Sequence, residues 1–346
     1  MRRIIVTLAF VLVAGAWPAA PAGAHGTAAA QPADPTSVQA DFNQDGADDL
    51  AIGVPLEDVG GIPDAGVVNV LYGGAGGLTG SGSQVFTQVG SAAEPGDLFG
   101  EALASGDFNQ DGFADLAVGA PFEDAGSTPD AGAVSVLYGS AGGLTRTGGQ
   151  IFTQVGSAAE PGDNFGFALA AGDFNQDTFA DLAAGAPFEG VGSTVNAGAV
   201  SVLYGSAAKL TSAGGQIFTQ VGSAPEPNDV FGVALATGDF NQDTFADLAV
   251  GAPGEAVFST ADAGAVSVLP GSAGRLTRIG GQIFTQNSTG VPDAAEPGDE
   301  FGSALAAGDP GLPTASATAS APSSASGAGS GAGSGAQRTP LSRLSR

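Results

Sequence analysis

Four short stretches of this chain carry oxygen-bearing side chains at a spacing that suits a hard cation. Asp41, Asn43, Asp45 and Asp49 stand at positions 1, 3, 5 and 9 of the first; the same types recur at Asp107, Asn109, Asp111 and Asp115, at Asp173, Asn175, Asp177 and Asp181, and at Asp239, Asn241, Asp243 and Asp247. Three carboxylates this close repel one another unless a cation sits between them, and ligation by oxygen alone selects an ion with about six to eight ligands, calcium before magnesium. The backbone carbonyl at position 7 can add a further ligand. Asp and Asn are also good turn formers, but a turn needs one or two of them rather than four in fixed register. All sixteen residues are therefore expected to hold metal, with Ca2+ as the cofactor.

An EF-hand opens in the same way, yet it requires a bidentate Glu at position 12 and a helix beyond it. Position 12 is Ile52, Val118, Ala184 or Val250, each inside an apolar run, so that reading fails in every copy. Position 6 makes a sharp turn where Gly is favoured, and a β-branched residue at positive φ costs about 1 to 2 kcal/mol. Gly46 and Gly112 suit this position, whereas Thr178 and Thr244 do not. The loops carrying threonine are expected to bind about 5- to 30-fold more weakly.

A second acidic set recurs as Glu94 and Asp97, Glu160 and Asp163, Glu226 and Asp229, and Glu296 and Asp299. Paired carboxylates can serve a glycosidase as acid and nucleophile, but a catalytic pair occurs once and this one occurs four times. The expectation is a solvated acidic rim on the face opposite the metal loops, able to dock a basic or cation-bridged partner.

These motifs are carried by an internal repeat. The segment beginning Asp-Phe-Asn-Gln-Asp starts at Asp41, Asp107, Asp173 and Asp239, a spacing of 66 residues each time. A fixed period of this size signals a solenoid, a propeller or an array. Each unit holds four short apolar runs, in the second unit Phe99 to Ala104, Leu116 to Val118, Ala133 to Tyr138 and Gln150 to Val155, separated by Gly-, Pro- and Asp-rich turns. Runs of this length bounded by turn residues read as strands. The Leu-Ala-Val run is apolar throughout, as suits a strand covered on both faces. Four strands per unit without helices predict an all-β fold, a β-propeller of four-stranded blades with about four blades. Tyr72, Tyr138 and Tyr204 recur in register, with Pro270 in their place in the last unit, and are expected to pack between blades.

Composition removes most other chemistries. The 346 residues include 58 Gly and no Cys, one His and nine Lys+Arg against 35 Asp+Glu, for a net charge of -26. Disulfides, thiolate zinc sites and cysteine nucleophiles are excluded. The single His25 leaves no Ser-His-Asp hydrolase, and the chain is expected not to be an enzyme. Nucleic acid is excluded as a partner, because phosphate recognition needs clustered basic residues and residues 41 to 309 contain only Arg146, Lys209, Arg275 and Arg278.

The ends read differently from the repeats. Residues 1–24 combine a basic start, an apolar run from Ile4 to Trp17 and the small-x-small site Ala22-Gly23-Ala24, the pattern of a cleaved signal peptide. That run is shorter than the roughly 20 residues needed to span a bilayer, so the expected product is secreted, with no membrane span after cleavage. Residues 25–37 read as a flexible N-terminal segment, 38–309 as the repeats, and 310–346 as a disordered low-complexity tail of Gly, Ala, Ser and Pro.

The repeats resemble the FG-GAP repeats of integrin α-subunit propellers and their bacterial relatives. The resemblance rests on Phe99-Gly100, Phe165-Gly166, Phe231-Gly232 and Phe301-Gly302, and on Gly119-Ala120-Pro121, Gly185-Ala186-Pro187 and Gly251-Ala252-Pro253, with Gly53-Val54-Pro55 as a variant. It implies a propeller whose first-to-second strand loops hold calcium on one face, with ligand contacts on the other. Integrin propellers have seven blades, whereas this chain encodes about four. The functions that follow are an adhesion or protein-interaction module binding an extracellular protein or surface ligand, or an accessory repeat region of an exported hydrolase. The first unit lacks the opening strand that Phe301 to Asp309 repeat at the other end. Either that strand closes a four-bladed ring by completing the first blade, or the chain is an open remnant of a larger propeller.

Overall fold

The computed structural model describes residues 40–307. The signal peptide expected over 1–24, the segment 25–37 and the tail 310–346 lie outside the described residues. Within them the chain forms four antiparallel sheets in sequence order, and every connection joins neighbouring strands. These are the four blades of a β-propeller.

The second blade shows how sequence becomes blade. Its strands are β4 (Leu103–Gly106), β5 (Asp115–Ala120), β6 (Ala133–Tyr138) and β7 (Thr145–Phe152). Leu103 faces Val118, Leu116 faces Leu137 and Val134 faces Phe152. The apolar β5 and β6 are buried along their whole length, because blades cover them on both sides. The third blade repeats this with β8 (Leu169–Gly172), β9 (Asp181–Ala186), β10 (Ala199–Tyr204) and β11 (Thr211–Phe218). The fourth has β12 (Leu235–Gly238), β13 (Asp247–Ala252), β14 (Ala265–Leu269) and a short β15 (Gln282–Phe284). The first has only β1 (Leu50–Val54), β2 (Val67–Tyr72) and β3 (Thr79–Phe86).

Two strand boundaries depart from the sequence reading. The run expected to begin at Phe99 is extended only from Leu103, because Gly100 turns the chain at φ 97°. The outer strand starts at Thr145 rather than Gln150; its polar, Gly-rich half pairs through the backbone without an apolar signature.

The Phe-Gly pair belongs to one blade and is seated on the blade before it. Phe99 N donates to Ala65 O at 3.1 Å, while Gly100 N donates to Gly119 O of its own blade at 2.9 Å. A Cβ on Gly53 would lie 1.9 Å from Gly100 O, and one on Gly119 would lie 2.1 Å from Gly166 O. Only glycine permits that approach, which explains why both motifs keep one.

Adjacent blades are also riveted by polar contacts. The Tyr72 hydroxyl accepts from Leu144 N at 2.9 Å and donates to Gln84, and Tyr138 and Tyr204 make the same bridges, the interblade packing expected of them. Lys209 lies over the Tyr138 ring, Arg275 over Tyr204, Arg146 over Phe86 and Arg278 over Phe218. These basic side chains also donate across the junctions to the Gly148 and Gly214 carbonyls and the Thr87 and Thr219 hydroxyls.

Of the two alternatives for the segment that begins at Phe301, completion of the first blade is not seen among the described residues. Phe301 N donates to Ala263 O at 3.0 Å, so this segment is seated on the fourth blade as Phe99 is on the first. Leu305 and Ala306 line a cleft with Phe240 and Phe284 of that same blade. That stagger in seating is common to every Phe-Gly; what differs is that the first sheet keeps three strands with β1 at its edge, and no strand forms among residues 301–307 to pair with it. Among the described residues both ends of the array are open. Leu50 is 43% exposed where its equivalent Leu116 is 1%, and Phe240 is 48% exposed where Phe174 is 0%.

Candidate functional site

Each expected metal loop joins the first strand of a blade to the second, and in the first unit precedes β1. The backbone folds around the side chains at positions 1, 3 and 5. Gly46 N donates to Asp41 Oδ2 at 2.8 Å, Asp45 N to Asn43 Oδ1 at 2.9 Å and Ala47 N to Asp45 Oδ1 at 3.0 Å. The same pattern holds at Asp107, Asn109 and Asp111, at Asp173, Asn175 and Asp177, and at Asp239, Asn241 and Asp243. Position 6 lies at φ 85° and 89° in Gly46 and Gly112, and at 77° in both Thr178 and Thr244. The turn is as sharp as the sequence reading required.

Position 9 is different. Asp115 is buried and accepts from Phe108 N and from Gly139 N, both at 2.9 Å. Asp49, Asp181 and Asp247 make the equivalent pair of bonds. Each ties the loop to the end of the blade's third strand. Burial pushes the Asp115 carboxyl up to about 7 and that of Asp181 to about 8, with the two amides opposing the shift. The structure therefore groups positions 1, 3 and 5 at the loop and sets position 9 behind them with both oxygens engaged.

Sequence reasoning missed a link between loops. Gln44 at position 4 donates to Gly112 O at 3.0 Å, Gln110 donates to the Thr178 hydroxyl, and Gln176 donates to that of Thr244 at 2.6 Å. The signal was present, since position 4 is Gln in every loop. Threonine at position 6 is thus strained in φ and also receives a bond that glycine cannot.

The second acidic set is not the solvated rim expected. Glu94, Glu160 and Glu226 are exposed, but Asp97, Asp163 and Asp229 are buried. Each buried Asp shares its junction with a buried glutamate of the following blade: Glu123, Glu189 and Glu255. The reason is the stagger, which carries the segment after the outer strand beneath the next blade's second strand. These glutamates were missed because each lies 26 residues from its partner; the available signal was their fixed place two residues after Gly-Ala-Pro. Gln88 Nε2 donates to Glu123 Oε2 at 2.6 Å and Gln220 Nε2 to Glu255 Oε2 at 2.8 Å. Burial, reinforced by the neighbouring glutamates, pushes the Asp229 carboxyl up to about 7. Burial likewise raises Asp97, Asp163, Glu123, Glu189 and Glu255. Glu226, Asp229 and Glu255 bring carboxylate oxygens within 4.8 Å of one another, the one such trio among the described residues. Where a junction is incomplete the acids are exposed, as at Glu57 and Asp299.

Comparison with known proteins places the repeats. Residues 99–137, 165–203 and 231–269 match the FG-GAP repeat. The chain is 34% identical over 183 residues to phosphatidylinositol-glycan-specific phospholipase D of Bos taurus, covering 49% of this chain and 21% of that protein. It is 32% identical over 224 residues to integrin alpha-PS2 of Drosophila melanogaster, covering 62% of this chain and 15% of the integrin. Over 106 residues it is 40% identical to integrin alpha-3 of Mus musculus, covering 30% and 10%. The chain thus spans about a fifth or less of the length of these relatives. The solved structure of rhamnogalacturonan lyase YesW aligns with a TM-score of 0.34 and 12% identity over 65% of this chain and 43% of that one, a likeness too slight to bear on function. Three segments of the propeller thus match the FG-GAP repeat, and the chain resembles parts of integrin α subunits.

Proposed function

We propose that this chain is a secreted calcium-binding propeller that acts as an adhesion or protein-interaction module. The observation that carries this reading is the loop scaffold repeated in four blades, with amides holding Asp107, Asn109 and Asp111 around one turn while a lone pair or second oxygen on each stays available. The donor set fits the ion: oxygens only, with carboxylates at positions 1 and 5. Calcium would neutralise these carboxylates and fix the loop, and the edges of the blades would then be presented as one rigid surface. Export by way of residues 1–24 belongs to the same reading, as does an extracellular protein or surface ligand as partner.

The matched integrin relatives support a binding role. A second reading, an accessory repeat region of an exported hydrolase, is favoured by the alignment with phospholipase D. A hydrolase screen on the purified chain separates the two, since turnover abolished by one carboxylate substitution would remove the module reading. Calcium binding is tested by thermal melting. A site held at a hundredfold over its dissociation constant adds about 2.7 kcal/mol, so excess calcium should raise the Tm well above that in chelator. Identical melting curves would reject the calcium assignment.

A further inference from the structure

The blade junctions hold a feature that the loop sites do not explain. At the junction of the third and fourth blades, Asp229 is 0% exposed and its Oδ1 has no hydrogen-bond partner. Glu226 and Glu255 bring carboxylate oxygens within 4.8 Å of it. Gln220 is 3% exposed, and its amide nitrogen donates to Glu255 while its Oε1, on the same carboxamide, is buried without a partner. The hydroxyl of Ser223 is buried beside the Glu255 carboxylate. Arg278 comes nearest, donating to the Gln220 backbone carbonyl at 3.4 Å and to the Thr219 hydroxyl while lying over Phe218, but none of the four basic side chains of the repeats donates to Glu226, Asp229 or Glu255.

Two buried carboxylates side by side need either a shared proton or a cation. A shared proton gives no part to the Gln220 Oε1, whereas a cation can use it together with Asp229 Oδ1. Unpaired buried oxygens cost free energy unless they find a positive or hydrogen-bonding partner. We propose that the junction of Asp229, Glu255 and Gln220, and its equivalents at Asp97 with Glu123 and at Asp163 with Glu189, are a second class of calcium site, one per blade junction. The donor set is oxygen only, and the exposed Glu226 stands at the mouth, as suits a hard divalent ion entering from solvent. At the first junction a cleft of about 350 Å3 lined by Ser91, Glu123 and Thr153 provides the approach. The exposed Glu57 and Asp299 are half-sites, so the count is three.

The test is metal stoichiometry by equilibrium dialysis of the full chain against calcium, followed by elemental analysis. A loop variant, D45N/D111N/D177N/D243N, should retain three calcium ions per chain. The junction variant E123Q/E189Q/E255Q, which keeps side-chain shape, should bind three fewer than the parent. A junction variant with unchanged calcium content, or a loop variant that binds none while folded, would overturn the proposal. A junction variant that becomes more heat-stable in chelator at pH 8 with the same metal content would assign the pairs a shared proton instead. If the junction variant does not fold, the loop variant's count decides alone.

Discussion

The two acidic faces of this propeller use the same side chains in opposite ways. On the loop face, carboxylates at positions 1 and 5 are held by amides of their own turn, and the acid at position 9 is a buried clip that accepts two backbone N–H groups. At the junctions, buried carboxylates of two different blades meet with fewer donors than oxygens. The loop face is organised by the local chain, the junction face only by the packing of neighbours. A carboxylate with its amides in place is a structural part whatever it binds, while one without them depends on what arrives from solvent.

The largest effect expected from this contrast lies at position 9. Asp115→Ala strands the Phe108 and Gly139 amides in the interior, each at about 1 to 3 kcal/mol. Urea unfolding in chelator should show a loss of about 2 to 5 kcal/mol for this variant, and well under half as much for Asp111→Ala at the exposed turn. Equal losses would erase the distinction between clip and turn.

Next comes the pH dependence without metal. Burial raises the folded-state pKa of Asp229 to about 7, and raises Glu255 and Asp97 as well. A carboxyl whose folded pKa lies above its unfolded value holds its proton more tightly when folded. Its contribution is fully present below the unfolded pKa of about 4 and is lost as pH rises through the folded value. In chelator, the Tm should therefore fall between pH 5 and pH 8, and saturating calcium should flatten that fall. A Tm that rises over this range in chelator would contradict the burial of these acids.

The packing of the two motif glycines gives a third measurement. Gly119→Ala places a methyl 2.1 Å from the Gly166 carbonyl oxygen, an overpacking that costs about 1 to 3 kcal/mol. Denaturant midpoints should shift accordingly, and a neutral result would mean that the junction can open to admit a methyl group.

The smallest effect sharpens the view of the loops themselves. Thr178→Gly relieves a β-branched residue at φ 77°, worth about 1 to 2 kcal/mol, but forfeits the bond from Gln110, worth about 0.5 to 1.5 kcal/mol. The net gain in calcium affinity at this loop should stay below about tenfold. A larger gain by calorimetric titration would show that the Gln110 contact contributes nothing.

What was legible in the sequence was whatever lies within one contiguous stretch. Asp107 to Asp115 announce a cation loop, and the fully apolar Leu116 to Val118 announces a strand covered twice. Glu123 carried no such message, because its meaning depends on Asp97 from the segment before β4 and on the tilt of one blade against the next. Phe301 shows the same limit. Its sequence says which strand it begins, while its burial partner, Ala263, is fixed by the stagger between repeat and blade.

That stagger links each blade's integrity to the arrival of the next. Since Phe99, Phe165, Phe231 and Phe301 each cap the preceding sheet, the array behaves as a row of units with nearest-neighbour coupling, in which the end units have one neighbour and the inner units two. Such a row opens like a zipper with two free ends. Hydrogen exchange should run fastest in β1 and in the three-residue β15, and the last amides to surrender their protons should be those of β5 and β9, in the two blades flanked on both sides.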